Sequence, residues 1–422
     1  MADAIVHVSS VAGSPLLDSA GERLGRVEDV VASLDRPDEL PLVVGLKAKI
    51  GGRELFVPID RVAQLGPDKV ETSTTKLNLA QFERRPGEVL LRADLLDRSL
   101  INVATARLVK AREVELVRDD RSWRVAGIDP TLRPRLWRFL PRRFRGHDTD
   151  HREFVPWRDM EPLFSHVPTS RLKLAARRII RLHPAQIADL VEAASHEEGE
   201  EILEAVGQDK ELEADVFEEL DDEHQVEFLG ERSDEEIAQV LSRMASDDAA
   251  DLLMDIEQDR RIPILNLLPP AKQRKIKELL GFGPETAGGM MNPDFVSVPS
   301  DARVADALAR LRSASVELGP QQISIICVVD DDGRLVGVVS LPELLRAREH
   351  ECVKDLIEVT HTPAVPAEAD LPEVARLMTD YNLVAMPVLD GDGKPMGIVA
   401  VDDVLERLLP EEWRWRAGAG RS

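Results

Sequence analysis

Acidic side chains are the residues of this chain best supplied to do chemistry, and the chemistry they suggest is cation binding. Between Gln186 and Ile262 stand 27 Asp or Glu against 5 Lys or Arg, so about −22 of a net charge of −24 lies in one segment. Facing carboxylates repel by up to ~4 kcal/mol per close pair at an effective dielectric near 20. A divalent ion reverses the sign of that interaction. Two readings of the block stand: a solvated acidic surface, or a surface that meets divalent cations. Other chemistries lack their parts. The nine histidines show no metal-ligand spacing. No Ser/His/Asp or Cys/His set and no phosphate-cradling loop is present, so an enzyme is not expected. Met290-Met291 reads as core rather than as a soft-metal site. Asp390-Gly391-Asp392-Gly393 is similar to a calcium-loop fragment, but it lies between two apolar runs and reads as a hairpin turn.

The bulk composition bounds what can carry such a block. A chain of 422 residues holds roughly three domains. Aromatics are 4%, so the cores must be aliphatic. No apolar run approaches the ~20 residues that span a bilayer, and no charged-then-apolar leader opens the chain. The two cysteines, Cys327 and Cys352, make no disulfide framework. The expectation is a soluble cytoplasmic protein with no membrane insertion. From Thr131 to His183 the balance inverts, with 13 Lys or Arg against 5 Asp or Glu. The stretch Arg133 to Arg145, with Trp137 and Phe139, has the composition of a nucleic-acid patch. A strongly acidic molecule is repelled by phosphate, so a docking surface for the acidic domain or for another protein is expected instead, and no nucleic acid.

Three kinds of element follow one another. Residues 1–90 read as short strands and Gly-rich turns, the pattern of a small barrel. Residues 91–166 repeat them loosely: Leu95-Leu96-Asp97 echoes Leu16-Leu17-Asp18, and Phe154-Val155-Pro156 echoes Phe56-Val57-Pro58. Over 167–282 the period turns helical, with a 12-residue repeat. Phe228, Val240, Leu252, Ile264 and Ile276 form one column; Arg232, Met244, Ile256, Leu268 and Leu280 form another. Ser233-Asp234, Ser246-Asp247 and Pro269-Pro270 mark the turns, with Ser or Asp as helix caps. Helices of about two turns are too short to stand alone and must stack into a superhelix. Residues 283–346 and 347–410 are two copies of one strand–turn–strand–helix module, offset by 60 residues: Ile325-Ile326-Cys327-Val328-Val329-Asp330 matches Ala385-Met386-Pro387-Val388-Leu389-Asp390. Residues 411–422 are a tail. The fold class expected is multidomain α+β: small β-barrels, an α-superhelix of short repeats, then a tandem α/β pair.

The run Gly21-Glu22-Arg23-Leu24-Gly25-Arg26-Val27-Glu28-Asp29-Val30 and the Val-Pro endings resemble the PRC-barrel family, in two copies over about the first 165 residues. That resemblance implies docking rather than chemistry. His183-Pro184-Ala185-Gln186-Ile187-Ala188-Asp189-Leu190, the 12-residue repeats, and Glu285-Thr286-Ala287-Gly288-Gly289-Met290-Met291 running into the tandem modules resemble the cytosolic half of MgtE-type magnesium transporters, from about Leu172 to Glu411. The two modules are similar to CBS domains. The resemblance implies that Mg2+ bridges the helical domain and the CBS pair through acidic side chains. Carried over, Ser246-Asp247-Asp248-Ala249-Ala250-Asp251 matches the helical-domain motif, with Asp247 and Asp251 at i and i+4 on one face. Val401-Asp402-Asp403 matches the second CBS motif, which puts forward Asp403, and Asp370 matches a further acid. Two positions depart: Asn382 stands where the family tends to have Asp, and Pro372 where it has Glu. CBS pairs also imply an adenine nucleotide (ATP or AMP type) held by Gly-x-x-Ser/Thr-x-x-Asp. Here Gly337 to Glu343 has Ser340 with Glu343 in place of Asp, and Gly397 to Asp403 keeps Asp403 with Ala400 in place of the hydroxyl.

The reading is a soluble sensor that binds Mg2+ or an adenine nucleotide and modulates a partner, best a membrane metal-ion transporter, at whose inner membrane face it would sit. The CBS resemblance implies a homodimer formed through the modules. The rivals are a constitutive scaffold or adaptor with degenerate ligand sites, and an RNA-associated assembly factor that uses the Arg133–Arg145 stretch.

Overall fold

The computed structural model describes residues 5–34, 39–67, 69–75, 80–119, 122–131, 154–163, 178–314, 318–357 and 363–409. The basic stretch from Arg133 to Arg145, and the tail with Glu411, Trp413 and Trp415, lie outside them. The chain divides into two compact units, residues 1–219 and 220–422.

The first unit is built on strands. They are β1 (Ile5–His7), β2 (Pro15–Leu17), β3 (Arg23–Ser33), β4 (Leu42–Ile50), β5 (Arg53–Pro58), β6 (Val62–Leu65), β7 (Val70–Thr72), β8 (Ala80–Gln81) and β9 (Glu88–Leu90). A second series follows: β10 (Ser99–Asn102), β11 (Arg107–Lys110), β12 (Glu113–Asp119), β13 (Ser122–Asp129), β14 (Val155–Pro156) and β15 (Met160–Pro162). One twelve-stranded sheet runs β1-β12-β13-β4-β3-β2-β7-β6, with β5, β8, β9 and β14 alongside. The second half of the barrel region is thus hydrogen-bonded to the first, through β13 on β4 and β12 on β1. A single apolar core, mostly aliphatic with Trp123 and Trp157, runs from Val6 to Met160 and underlies both halves. A smaller sheet, β11-β10-β15, completes the series.

The internal echo has a geometric basis. Gly45 pairs with Pro58 across β4 and β5, and Gly127 pairs with Pro156 across β13 and β14. In each case the ring of a Phe (Phe56, then Phe154) lies where a Cβ on the glycine would go, 2.4 and 2.7 Å away. Each Pro has the same backbone, φ −59° and ψ 142°, and opens a short 3-10 turn. The other echo fails. Leu16-Leu17 lies in β2, but Leu95 ends a one-turn π-helix, Leu91–Leu95. Asp29 accounts for the difference: it sits under that turn and accepts the N–H groups of Arg92 and Ala93 at 2.8 and 3.0 Å. With α1 (Val8–Val11), this unit also holds α2 (Pro184–Ala193), α3 (His196–Val206) and α4 (Lys210–Glu219). Glu198 of α3 accepts a hydrogen bond from Ser99 of β10.

The second unit opens on five helices: α5 (Asp222–Gly230), α6 (Asp234–Leu241), α7 (Ser246–Asp255), α8 (Gln258–Leu267) and α9 (Pro270–Leu279). Their first residues are spaced by the 12-residue period. The first column of the repeat, Phe228 to Ile276, is buried throughout. In the second column Met244, Ile256 and Leu268 are buried, while Leu280 is 37% exposed at the end of the array. Each helix packs on the next but one (α5 on α7, α6 on α8, α7 on α9), which buries faces that no single short helix can bury alone.

The tandem modules follow α10 (Ala287–Met290). The first comprises β16 (Ser297–Pro299), α11 (Val304–Ala314), β17 (Ile325–Val329), β18 (Leu335–Ser340) and α12 (Leu341–Arg346). The second comprises β19 (Val365–Pro366), α13 (Leu371–Tyr381), β20 (Ala385–Leu389), β21 (Pro395–Ala400) and α14 (Val401–Leu408). The repeat extends to register. Ile325 pairs with Ser340 and Ala385 with Ala400, and both hairpins carry an irregularity at the same place, Val328/Val329 and Val388/Leu389. Asp390 Oδ1 accepts the N–H groups of Asp392 and Lys394, so the calcium-like fragment is a hairpin turn, as its place between strands predicts.

Candidate functional site

The acidic motif of the helical array faces the second module. The segment after α10 explains how. Asn292 exchanges backbone hydrogen bonds with Ile398 of β21, at 2.8 and 3.0 Å, so the segment that opens the first module is stitched to the second. Its side chain then turns back. Asn292 Nδ2 donates to Asp247 Oδ1 at 3.1 Å in a buried contact, and Asn292 Oδ1 accepts the Asp294 N–H at 2.8 Å. Asp294 in turn accepts from Ser246 Oγ and pairs with Lys275 of α9. Ser246 was expected to cap α7. Instead it is the first residue within the helix, fully buried, and its hydroxyl goes to Asp294; Ala245 occupies the cap with no side-chain bond. The start of α7 is thereby held by the module segment rather than by its own cap.

That placement aims α7 at α14. Asp403, in the first turn of α14, is pushed up to about 7, first by burial and then by the charges of Asp402, Asp248 and Glu406, against one backbone hydrogen bond from Ala400. Asp251 is also raised, first by burial, with Asp222 and Glu406 adding to it. Arg407 opposes this: its Nη2 lies 2.6 Å from Asp251 Oδ2. Asp255, one turn on, is raised by burial and by Asp222 and Asp251. Carboxyl groups from α5, α7 and α14 therefore share one anionic face. Its donors are all carboxylate oxygens, the set a hard cation such as Mg2+ prefers, and one or two carboxylates with waters suffice for that ion. By donor type these carboxyl groups suit a divalent cation, although among the described residues no three of them bring their oxygens within 4.8 Å of one another.

The predicted site residues divide in two. Asp247, Asp251 and Asp403 come to this region, Asp247 as a buried anchor and the other two on the facing helices. Asp370 does not. It is exposed, caps α13 by accepting the Glu373 N–H at 3.0 Å, and is not among the charges acting on Asp251 or Asp403. The two departures have local causes. Pro372 stands in the first turn of α13, where its fixed φ suits a helix start, and Asn382 ends that helix at φ 52°, a left-handed position.

Ser340 and Glu343 close on each other. Glu343 Oε2 lies 2.7 Å from both Ser340 Oγ and Ser340 N, and Ser340 Oγ accepts the Glu343 N–H at 3.4 Å, a complete capping box. Ala400 and Asp403 are their counterparts 60 residues on. With no hydroxyl at Ala400, Asp403 accepts the Ala400 N–H through Oδ2 at 3.3 Å without the second half of the box. The same position is thus spent on a cap in one module and faces the helical array in the other. Sequence reasoning missed Asn292, Glu406 and Arg407. Asn292 directly follows the Glu285–Met291 motif, but its role needs the bridge to Ile398. Arg407 is one helical turn from Asp403, the only sequence signal for it.

Comparison with known proteins finds three family models along the chain. Residues 182–285 match the MgtE intracellular N domain, residues 287–350 and 353–410 match the CBS domain, and residues 4–79 match the PRC-barrel domain. The chain is 38% identical over 146 residues to the magnesium transporter MgtE of Thermus thermophilus and 31% identical over 147 residues to that of Bacillus subtilis. Each alignment takes in 35% of this chain and 32% of the relative, so the chain spans about a third of the length of the curated relatives it matches. The crystal structure of the cytosolic domain of the Mg2+ channel MgtE in complex with ATP superposes with a TM-score of 0.52 at 30% identity, over 56% of this chain and 94% of that one. The soluble part of a magnesium transporter superposes with a TM-score of 0.51 at 26% identity, over 56% and 92%. Among the described residues no helix is long and apolar enough to cross a membrane.

Proposed function

We propose, for a chain whose residues 182–410 belong to one family with the cytosolic part of MgtE-type magnesium transporters, that it is a regulatory sensor of Mg2+. The observation that carries this is the crowding of Asp248, Asp251, Asp402, Asp403 and Glu406 on one face, with Asp403 pushed up to about 7. A bound Mg2+ supplies two positive charges where these carboxyl groups repel. Asp251 and Asp403 would hold it, one from each helix. Asp247, clasped by Asn292, fixes the position of α7. Asp370, spent on its helix cap, is left out of the set. Binding stabilises the seated arrangement of α7 on α14 by mass action, about 1.4 kcal/mol at ten times Kd. The partner class is a membrane metal-ion transporter, a reading supported by the names of the relatives, and the protein would act in the cytoplasm, at the inner face of the membrane when bound. A homodimer through the CBS modules goes with this reading.

An adenine nucleotide is the second ligand class, supported by the solved relative that holds ATP. At Ser340 and Glu343 it would have to compete with the closed capping box. The test uses the full chain, titrated with MgCl2 at constant ionic strength while its melting temperature is followed, with and without ATP. Mg2+ is expected to raise the melting temperature of the wild type, and D251N/D403N to abolish the rise. A flat wild-type response through millimolar Mg2+ refutes the sensor and favours the constitutive scaffold.

A further inference from the structure

The acidic face already contains a cation of the chain's own. Arg407 reaches from α14 to α7, and its guanidinium meets Asp251 at 2.6 Å across 156 residues of sequence. Asp251 and Asp403 are the two groups proposed to hold the metal, so one of them is occupied by a side chain in the protein as it stands. Arginine stays charged at any pH the fold survives, so proton loss cannot release it; only exchange against another cation can. The pair is also only partly covered, with side-chain exposures of 30% for Arg407 and 45% for Asp251. Water can take over the guanidinium once it leaves, and pairs of this kind are individually weak.

We propose that Arg407 is a tethered competitor for the divalent cation: it closes α7 onto α14 when the ion is scarce and must leave Asp251 when the ion arrives. The inference rests on the reading of this face as a Mg2+ site and adds the device that sets its threshold. Two consequences separate the competitor from a plain structural strut. Removing the charge weakens the metal-free contact, and it also makes Mg2+ bind more tightly. A strut would produce only the first. The second follows because a divalent ion brought to Asp251 then neither breaks an ion pair nor approaches a fixed positive charge. With a pair of this exposure, the Mg2+ concentration at half-saturation is expected to fall about fivefold, which corresponds to about 1 kcal/mol.

The experiment titrates MgCl2 into the full-length wild type, R407Q, R407K and R407Q/D251N. It reads heat of binding and amide exchange of the segments 246–255 and 400–409. R407Q should show faster exchange of both segments without metal and half-saturation at about one fifth of the wild-type concentration. R407K, which keeps the charge, should stay near the wild type. R407Q/D251N should lose the gain. If wild type and R407Q both bind Mg2+ with the same or a higher midpoint in R407Q, the competitor is overturned and the Mg2+ sensor stands. If neither binds, both fall, and faster exchange in R407Q alone marks Arg407 as a strut. R407K also guards against a folding defect in R407Q, since a gain in affinity there would overturn the charge argument by itself.

Discussion

Glu161 offers the cleanest electrostatic perturbation in the first unit. It lies on β15, 3% exposed, and among the described residues neither carboxylate oxygen has a hydrogen-bond partner. Burial pushes it from 4.5 up to about 8, against the pull of the Arg178 guanidinium. The folded chain therefore keeps a proton that the unfolded chain releases. Its contribution to stability is intact below about pH 4.5 and is lost at about 1.4 kcal/mol per pH unit until about pH 8. Between pH 6 and pH 9 the loss is about 3 kcal/mol. Glu161→Gln cannot ionise and escapes it. A substituted amide has its own cost in the same pocket, but that cost does not vary with pH. Relative to the wild type, E161Q should therefore gain about 6–12 °C in melting temperature between pH 6 and pH 9, at about 2–4 °C per kcal/mol for a unit of this size. Calorimetry of the full chain at the two pH values reads the shift. Amide exchange over 99–102 and 160–162, compared between variants at each pH, assigns it to this sheet. Other titrating groups are common to both proteins and cancel. Parallel pH dependence of wild type and E161Q would refute the argument and mean that Glu161 is ionised in the fold.

Three further outcomes are expected. Asn292→Ala removes the donor to buried Asp247 and the acceptor for the Asp294 N–H, and should destabilise the full chain to urea by about 1–3 kcal/mol. Ser340→Ala opens the capping box and should cost about 1 kcal/mol by thermal melting. Asp29→Asn keeps one oxygen for the N–H groups of Val30 and Arg92 but sets an amide NH2 against the Ala93 N–H, and should lower the melting temperature by an amount equivalent to about 1–3 kcal/mol.

What could be read in advance was whatever repeats. The 12-residue period marks the starts of α5 to α9, because each short helix must present the same column to its neighbours. The 60-residue offset carries down to Ser340 and Ala400 at the same ladder position. Single residues answering to one another across long stretches were not legible. Nothing adjacent to Ser246 says that its hydroxyl will serve Asp294 in place of its own helix, and nothing near Arg407 points to Asp251. Asp370 shows the converse: its motif matched, but an acid before Leu371-Pro372 is also what a helix start requires, and that local demand took it. Leu95-Leu96-Asp97 misled for a similar reason, since Asp29, 63 residues before Arg92, draws that stretch into a π-turn.

The stitch between residues 285–292 and the second module bears on how the chain matures. Ala287 and Gly288 donate their N–H groups to Ala369 and Ala367, and Asn292 waits for Ile398. On a ribosome these partners emerge about 80 to 105 residues later, a delay of several seconds at about 5–20 residues per second. Until then Met291, which lies against Gly397 in the finished protein, lacks that neighbour. The nascent chain thus passes through an interval in which a second chain's β21 could take the vacant place, and crowded synthesis should favour intertwined pairs.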